Sequence, residues 1–177
     1  MIAFALEDDA VVLRADPRDA DLFRHLSREL QRLLESRTQE PGARRTTPRD
    51  PALARLLPDP VHGDVEASME LREMTERALI SKKVANARLV EQAVAMPGPL
   101  DEDARRAWLQ HLTDLRLVLA ARIGIERDGD TGRGDTEDER WLRSAYHWLG
   151  ALQEDLLQTI ERLEERTAES AHESGDA

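Results

Sequence analysis

The sequence predicts a mainly α protein: a helical bundle of four main helices plus one short helix, with a β-hairpin at the N-terminus. Two observations carry this. Ala107–Gly124 and Tyr146–Leu157 each place an aromatic and a ladder of leucines on one helical face. Proline- and glycine-bearing breaks also divide the rest of the chain into helix-length segments. With 177 residues there is chain enough for one domain with a sizeable core.

The elements follow in order. Ile2–Leu6 and Ala10–Leu13 are short apolar runs around Glu7-Asp8-Asp9, the pattern of a hairpin that must lean on another element to be stable. Asp16-Pro17 opens a helix to about Arg37, with Leu22, Phe23, Leu26, Leu30, Leu33 and Leu34 as its apolar stripe. Residues 37–50 lack apolar periodicity and read as a mobile linker. Asp50-Pro51 starts a short helix that Pro58-Asp59-Pro60 stops. Asp64 caps a long helix to about Ala95, with Leu71, Met74, Ala78 and Ala85 expected on its inner side.

After the Met96-Pro97-Gly98-Pro99 break, Asp101 caps a helix with Trp108, Leu112, Leu115, Leu119 and Ile123 as its spine and Gly124 as its stop. An acidic, glycine-rich loop spans 126–135. Thr136 with Glu139 forms a capping box for the last helix. That helix is expected to bury Trp141, Ala145, Trp148, Leu149, Leu152, Leu156, Ile160 and Leu163. The domain ends near Arg166, and 167–177 is expected to be a disordered tail.

Composition narrows the function. The absence of cysteine removes thiolate nucleophiles, zinc–thiolate sites and disulfides. A net charge of -11 opposes general nucleic-acid affinity. No apolar run is long enough to span a bilayer, and the start lacks the pattern of a signal peptide, so a cytoplasmic location is expected.

Asp128, Asp130 and Glu139 occupy the first, third and last positions of a calcium-loop spacing, but Arg133 stands where glycine is needed and Gly132 where a ligand is needed. The loop reads as a solvated acidic connector. Its glycines lack the strand and cationic setting of a phosphate cradle. His111 and Asp114 share a helical face, the spacing of a structural hydrogen-bonded pair when no second histidine is near; His147 has no sequence partner, and His172 lies in the tail. No catalytic triad or metal signature forms, so no enzyme, cofactor or metal is expected. Arg37, Arg44, Arg45, Arg49 and Arg55 make a basic stretch without interleaved aromatics, the makeup of a soluble linker. Tyr146 and His147 are left as a candidate contact for a protein partner.

Three ordered blocks carry a resemblance: Leu56-Leu57-Pro58-Asp59 with Glu70–Glu76; Trp108 through Asp114–Leu117 to Arg122-Ile123-Gly124; and Tyr146-His147-Trp148-Leu149 with Leu152-Gln153-Glu154. Together they resemble a largely actinobacterial family, described for most members only as a domain of unknown function, that includes the oxidative-stress transcriptional regulator AosR. The resemblance implies a non-enzymatic regulator of transcription and stress response that acts by protein–protein contact, with a sigma factor or RNA polymerase as partner. The cysteine pair to which the family's redox response is attributed has no counterpart here. The competing class is a self-associating structural or adaptor protein. Arg72, Asp114, Arg116 and Arg122 lie among leucines in the matched blocks and are expected to form ion pairs between helices, with Asp114 accepting from an arginine.

Overall fold

The computed structural model describes residues 1–39, 46–61, 63–127 and 129–175. Strands β1 (Ile2–Glu7) and β2 (Ala10–Ala15) pair antiparallel, with Phe4 opposite Leu13 and Glu7 opposite Ala10. Asp8 and Asp9 turn the hairpin at φ of 45° and 59°, the left-handed pair of a type I′ turn, which Asp tolerates better than most residues.

Five helices follow: α1 (Pro17–Gln39), α2 (Pro51–Leu56), α3 (Val65–Ala95), α4 (Glu102–Ile123) and α5 (Glu137–Gly175). Between α3 and α4 lies a third strand, β3 (Pro99–Leu100), which pairs with Val11 and Val12 and gives the sheet order β1-β2-β3. The proline-rich break was legible as a break only; its strand exists because β2 offers it an edge.

The other sheet edge is covered by a helix. The amide of Phe4 donates to the Asp155 carboxylate of α5 at 2.8 Å, occupying a group that an edge strand otherwise leaves open. The hairpin's inner face rests on α4, where Phe4 meets Trp108 edge-to-face at 5.2 Å and Phe23 of α1 meets it at 4.9 Å. Helix α4 is the hub, packed by α1, α2, α3 and α5. Its predicted spine, Trp108, Leu112, Leu115, Leu119 and Ile123, is buried throughout. Among the described residues no helix is long and apolar enough to cross a membrane.

The caps form as the sequence predicts. Asp50, Asp64 and Asp101 accept from the first-turn amides of their helices. Thr136 and Glu139 bond reciprocally through the other's amide, and Gly124 ends α4 at φ 72°.

Four expectations are corrected. The inner stripe of α3 is Ser68, Arg72, Glu76, Ile80 and Val84, one continuous i,i+4 row; Leu71, Met74, Ala78 and Ala85 face outward, and Met74 is 78% exposed. Hydropathy alone selected the opposite side, because the buried row opens with three polar residues. The linker does not begin at 37. Helix α1 continues to Gln39, because Arg37, 1% exposed, donates to Glu76 of α3 at 2.9 Å. The described part of the 37–50 stretch is also held: Pro48 is buried and Thr47 bonds Asp59.

Trp141 is 45% exposed, whereas Trp148, partly buried, packs against Phe23 at 6.3 Å, and Ala145, Leu149, Leu152 and Leu156 form the inner row of α5 as expected. Finally, α5 runs on as helix through Gly175, past Arg166 where the sequence reading ended it. Residues 164–171 are exposed and rich in helix formers, with no proline or glycine to stop them.

Candidate functional site

Of the four charged residues expected to form ion pairs, Arg72, Asp114 and Arg122 do so, in three separate places, whereas Arg116 is held by neutral partners. Arg72, 3% exposed, donates to Glu76 at 2.7 Å, to Asp59 at 2.6 Å and to the Leu57 carbonyl at 3.1 Å. Glu76 thereby joins Arg72 to Arg37, and a buried charge set is satisfied from both sides. Arg122 forks onto Asp50 at 2.8 and 3.0 Å, tying α4 to the cap of α2. Burial pushes the Asp50 carboxyl up, but Arg122 and the amides of Ala52 and Leu53 together hold it below its ordinary range.

Asp114 pairs with a lysine, not an arginine. Lys83 of α3 donates to its Oδ1 at 2.5 Å. Arg116 instead donates to Gln153 of α5 at 2.7 Å and lies over the Tyr146 ring at 5.0 Å. Tyr146 is thus half-buried against the bundle, and only its neighbour His147, in edge contact at 5.6 Å, stands exposed.

Lys83, Asp114 and Gln153 line a feature that the sequence does not reveal. Helices α3 and α5 flank α4 and leave a groove of about 540 Å³ above it. Leu79 of α3, Leu109 and Leu117 of α4 and Leu157 of α5 supply its apolar lining; Leu79 and Leu157 are 37% and 39% exposed. Polar rungs cross between the helices: Asn86 donates to Gln110 at 2.8 Å, and Gln153 to Thr113 at 3.0 Å. Lys82 and Lys83, the only lysines of the chain, stand together at the rim with Arg55. The single available signal was this Lys-Lys pair in an arginine-rich chain.

His111 lies beneath this wall, fully buried against Phe23 at 5.9 Å. Neither ring nitrogen has a hydrogen-bond partner among the described residues, nor does the nearby Trp108 Nε1. Burial, assisted by the Lys83 charge, holds its pKa down at about 3, so the ring is neutral. Burial pushes the Asp114 carboxyl up, against the opposing pull of Lys83. The expected His111–Asp114 pair is not formed: Asp114 turns to Lys83.

The acidic loop is self-contained. Asp130 accepts from the amides of Glu126 and Arg127, and Glu139 is spent on the capping box, whose Thr136 amide holds its carboxyl below the ordinary range. Arg133 donates through its amide to the Ile123 carbonyl and through its side chain to the Arg122 carbonyl, closing the end of α4. Gly132 is a packing glycine at φ 69°, where a Cβ would sit 2.9 Å from Ile123. Asp128 lies outside the described residues, as do Arg44, Arg45 and the side chain of His172. Among the described residues, no group of three His, Asp or Glu side chains is placed to hold a metal ion.

A mainly helical bundle with a leucine-lined, polar-railed groove beside its central helix defines a small helical protein with a peptide-sized surface groove. The chain belongs to the family described as Domain of unknown function (DUF2017), whose model matches residues 1–160. No curated protein and no solved structure matches it.

Proposed function

We propose that this protein is a non-enzymatic regulator that acts through protein–protein contact, with a sigma factor or RNA polymerase as its target. The observation that carries this reading is the groove between α3 and α5. It combines exposed leucines with a hydrogen-bonded polar frame, the makeup of a surface that buries a partner's helix. The transcriptional target, the actinobacterial kinship and the cytoplasmic location rest on the resemblance to the family that includes AosR. No thiol switch belongs to this reading, because the chain has no cysteine.

Trp141 favours a second reading, a self-associating adaptor. This half-exposed ring borders a cleft in which the partly exposed Leu33, Val118 and Leu142 lie over the buried Leu26, Leu30 and Leu115, a surface that a second copy is able to cover. Affinity purification with mass spectrometry, combined with sedimentation, separates the two. Recovery of polymerase or a sigma factor in stoichiometric amount supports regulation; a dimer abolished by Trp141→Ala, with no such recovery, supports the adaptor.

A further inference from the structure

We infer that the α3–α4–α5 groove receives an acidic amphipathic helix of the partner protein, its apolar side on Leu79, Leu117 and Leu157 and its carboxylates against Lys82 and Arg55. This rests on the proposal that the groove is the docking surface, and it specifies what docks there.

The first argument is dimension. The α3 wall runs from Leu79 to Asn86, about 10 Å at about 1.5 Å per residue, so the groove takes about two turns of helix. Its exposed leucines stand on both walls, and one apolar helical stripe reaches both at i, i+3 or i+4 spacing.

The second argument is charge. The chain carries 36 acidic residues and a net charge of -11, yet the groove reverses that sign: Arg55, Lys82 and Lys83 face it against Asp114 alone. Asp114 is already engaged by Lys83 and largely buried, and Arg55 donates to the Ile125 carbonyl, a neutral partner. Lys82 is exposed and forms no ion pair among the described residues. Behind the α5 wall, Arg116 is likewise held by neutral partners, Gln153 and Tyr146. A basic helix meets repulsion at Lys82 and Arg55, whereas an acidic one is attracted to a recess of net positive charge on a chain of net negative charge. A nucleic-acid strand matches the charges but finds leucines where its bases need aromatic faces.

The test is a display library of helix-forming 15-residue peptides selected on the full-length protein and counter-selected on the Lys82→Glu/Leu157→Asp variant. Both positions are exposed, and circular dichroism confirms folding of the variant. Enriched peptides are expected to combine Asp or Glu with leucine-like residues at i, i+3 or i+4, to bind at least tenfold more weakly to Lys82→Glu, and to regain affinity for it when one of their acids becomes Lys. Enrichment of basic or uncharged peptides, failure to enrich any, or tighter binding of a 15-nucleotide single strand than of the best peptide overturns the inference. If Lys82→Glu still recovers the polymerase or sigma factor that the wild type recovers, the groove assignment fails and the regulatory reading stands. If acidic peptides bind the groove but no transcription component is recovered, the groove inference stands and the regulatory reading fails.

Discussion

Lys83 and Asp114, 31 positions apart, meet at 2.5 Å across the α3–α4 contact at the edge of the groove. The lysine retains some exposure while the carboxylate is almost fully enclosed, so the pair has a wet side and a dry side. Removing each partner therefore has a different cost. Asp114→Ala leaves Lys83 able to turn toward water, and the loss is expected to be about 2 kcal/mol, the scale of one charge-assisted hydrogen bond. Lys83→Met removes the charge that opposes the upward push of burial on the Asp114 carboxyl, so the stranded acid takes up a proton more readily, and the loss is smaller at pH 5 than at pH 8. Urea denaturation of both variants at pH 5 and pH 8 checks the asymmetry.

His111 introduces a pH dependence of definite sign. Its folded-state pKa, about 3, lies below the ordinary value of 6.5, so the unfolded chain binds the proton more readily. The stability it permits is complete above pH 6.5 and declines as pH falls from there toward 3, with a limiting slope of about 1.4 kcal/mol per pH unit. Asp114, raised instead, works in the opposite sense over the acid range, which is why the difference from a variant is the informative quantity. His111→Leu is expected to melt higher than the wild type at pH 5 and to lose this part of the acid slope. Equal slopes in the two proteins would sink the prediction.

Glu76 is shared by two arginines, Arg37 and Arg72, in a setting where all three side chains are at most 5% exposed. Glu76→Leu removes the carboxylate that Arg37 and Arg72 share, leaving Arg72 with Asp59, and is expected to cost about 3–5 kcal/mol. Arg37→Met leaves Glu76 paired with Arg72 and costs less. Thermal melts of the two variants decide the order.

Asp155 supports the hairpin from a distance of 151 residues by accepting the Phe4 amide. Asp155→Ala is expected to lower stability by about 1–3 kcal/mol, as for a hydrogen bond to a charged group. Phe4 amide exchange should quicken more than that of Leu112 in the core. Unchanged protection at Phe4 would show that the edge amide does not depend on this carboxylate.

Local chemistry alone was enough to place the helices of this protein. Asp50, Asp64, Asp101 and the Thr136–Glu139 box mark helix starts, because a cap acts within three residues of itself. The Trp108–Ile123 spine is legible because one helical period sorts strongly apolar residues onto one face. The same period misplaces the inner side of α3 and misses the groove. Glu76 looks like a surface residue until Arg37, 39 positions before it, arrives to pair with it beside Arg72. Nothing in the α5 sequence shows Trp141 half-exposed or Asp155 under a strand. Burial of a charge depends on a partner that only chain folding brings near, and a groove exists only where two helices flank a third without closing over it. Periodicity determined the elements; long-range pairing decided which faces are buried and where a partner is able to dock.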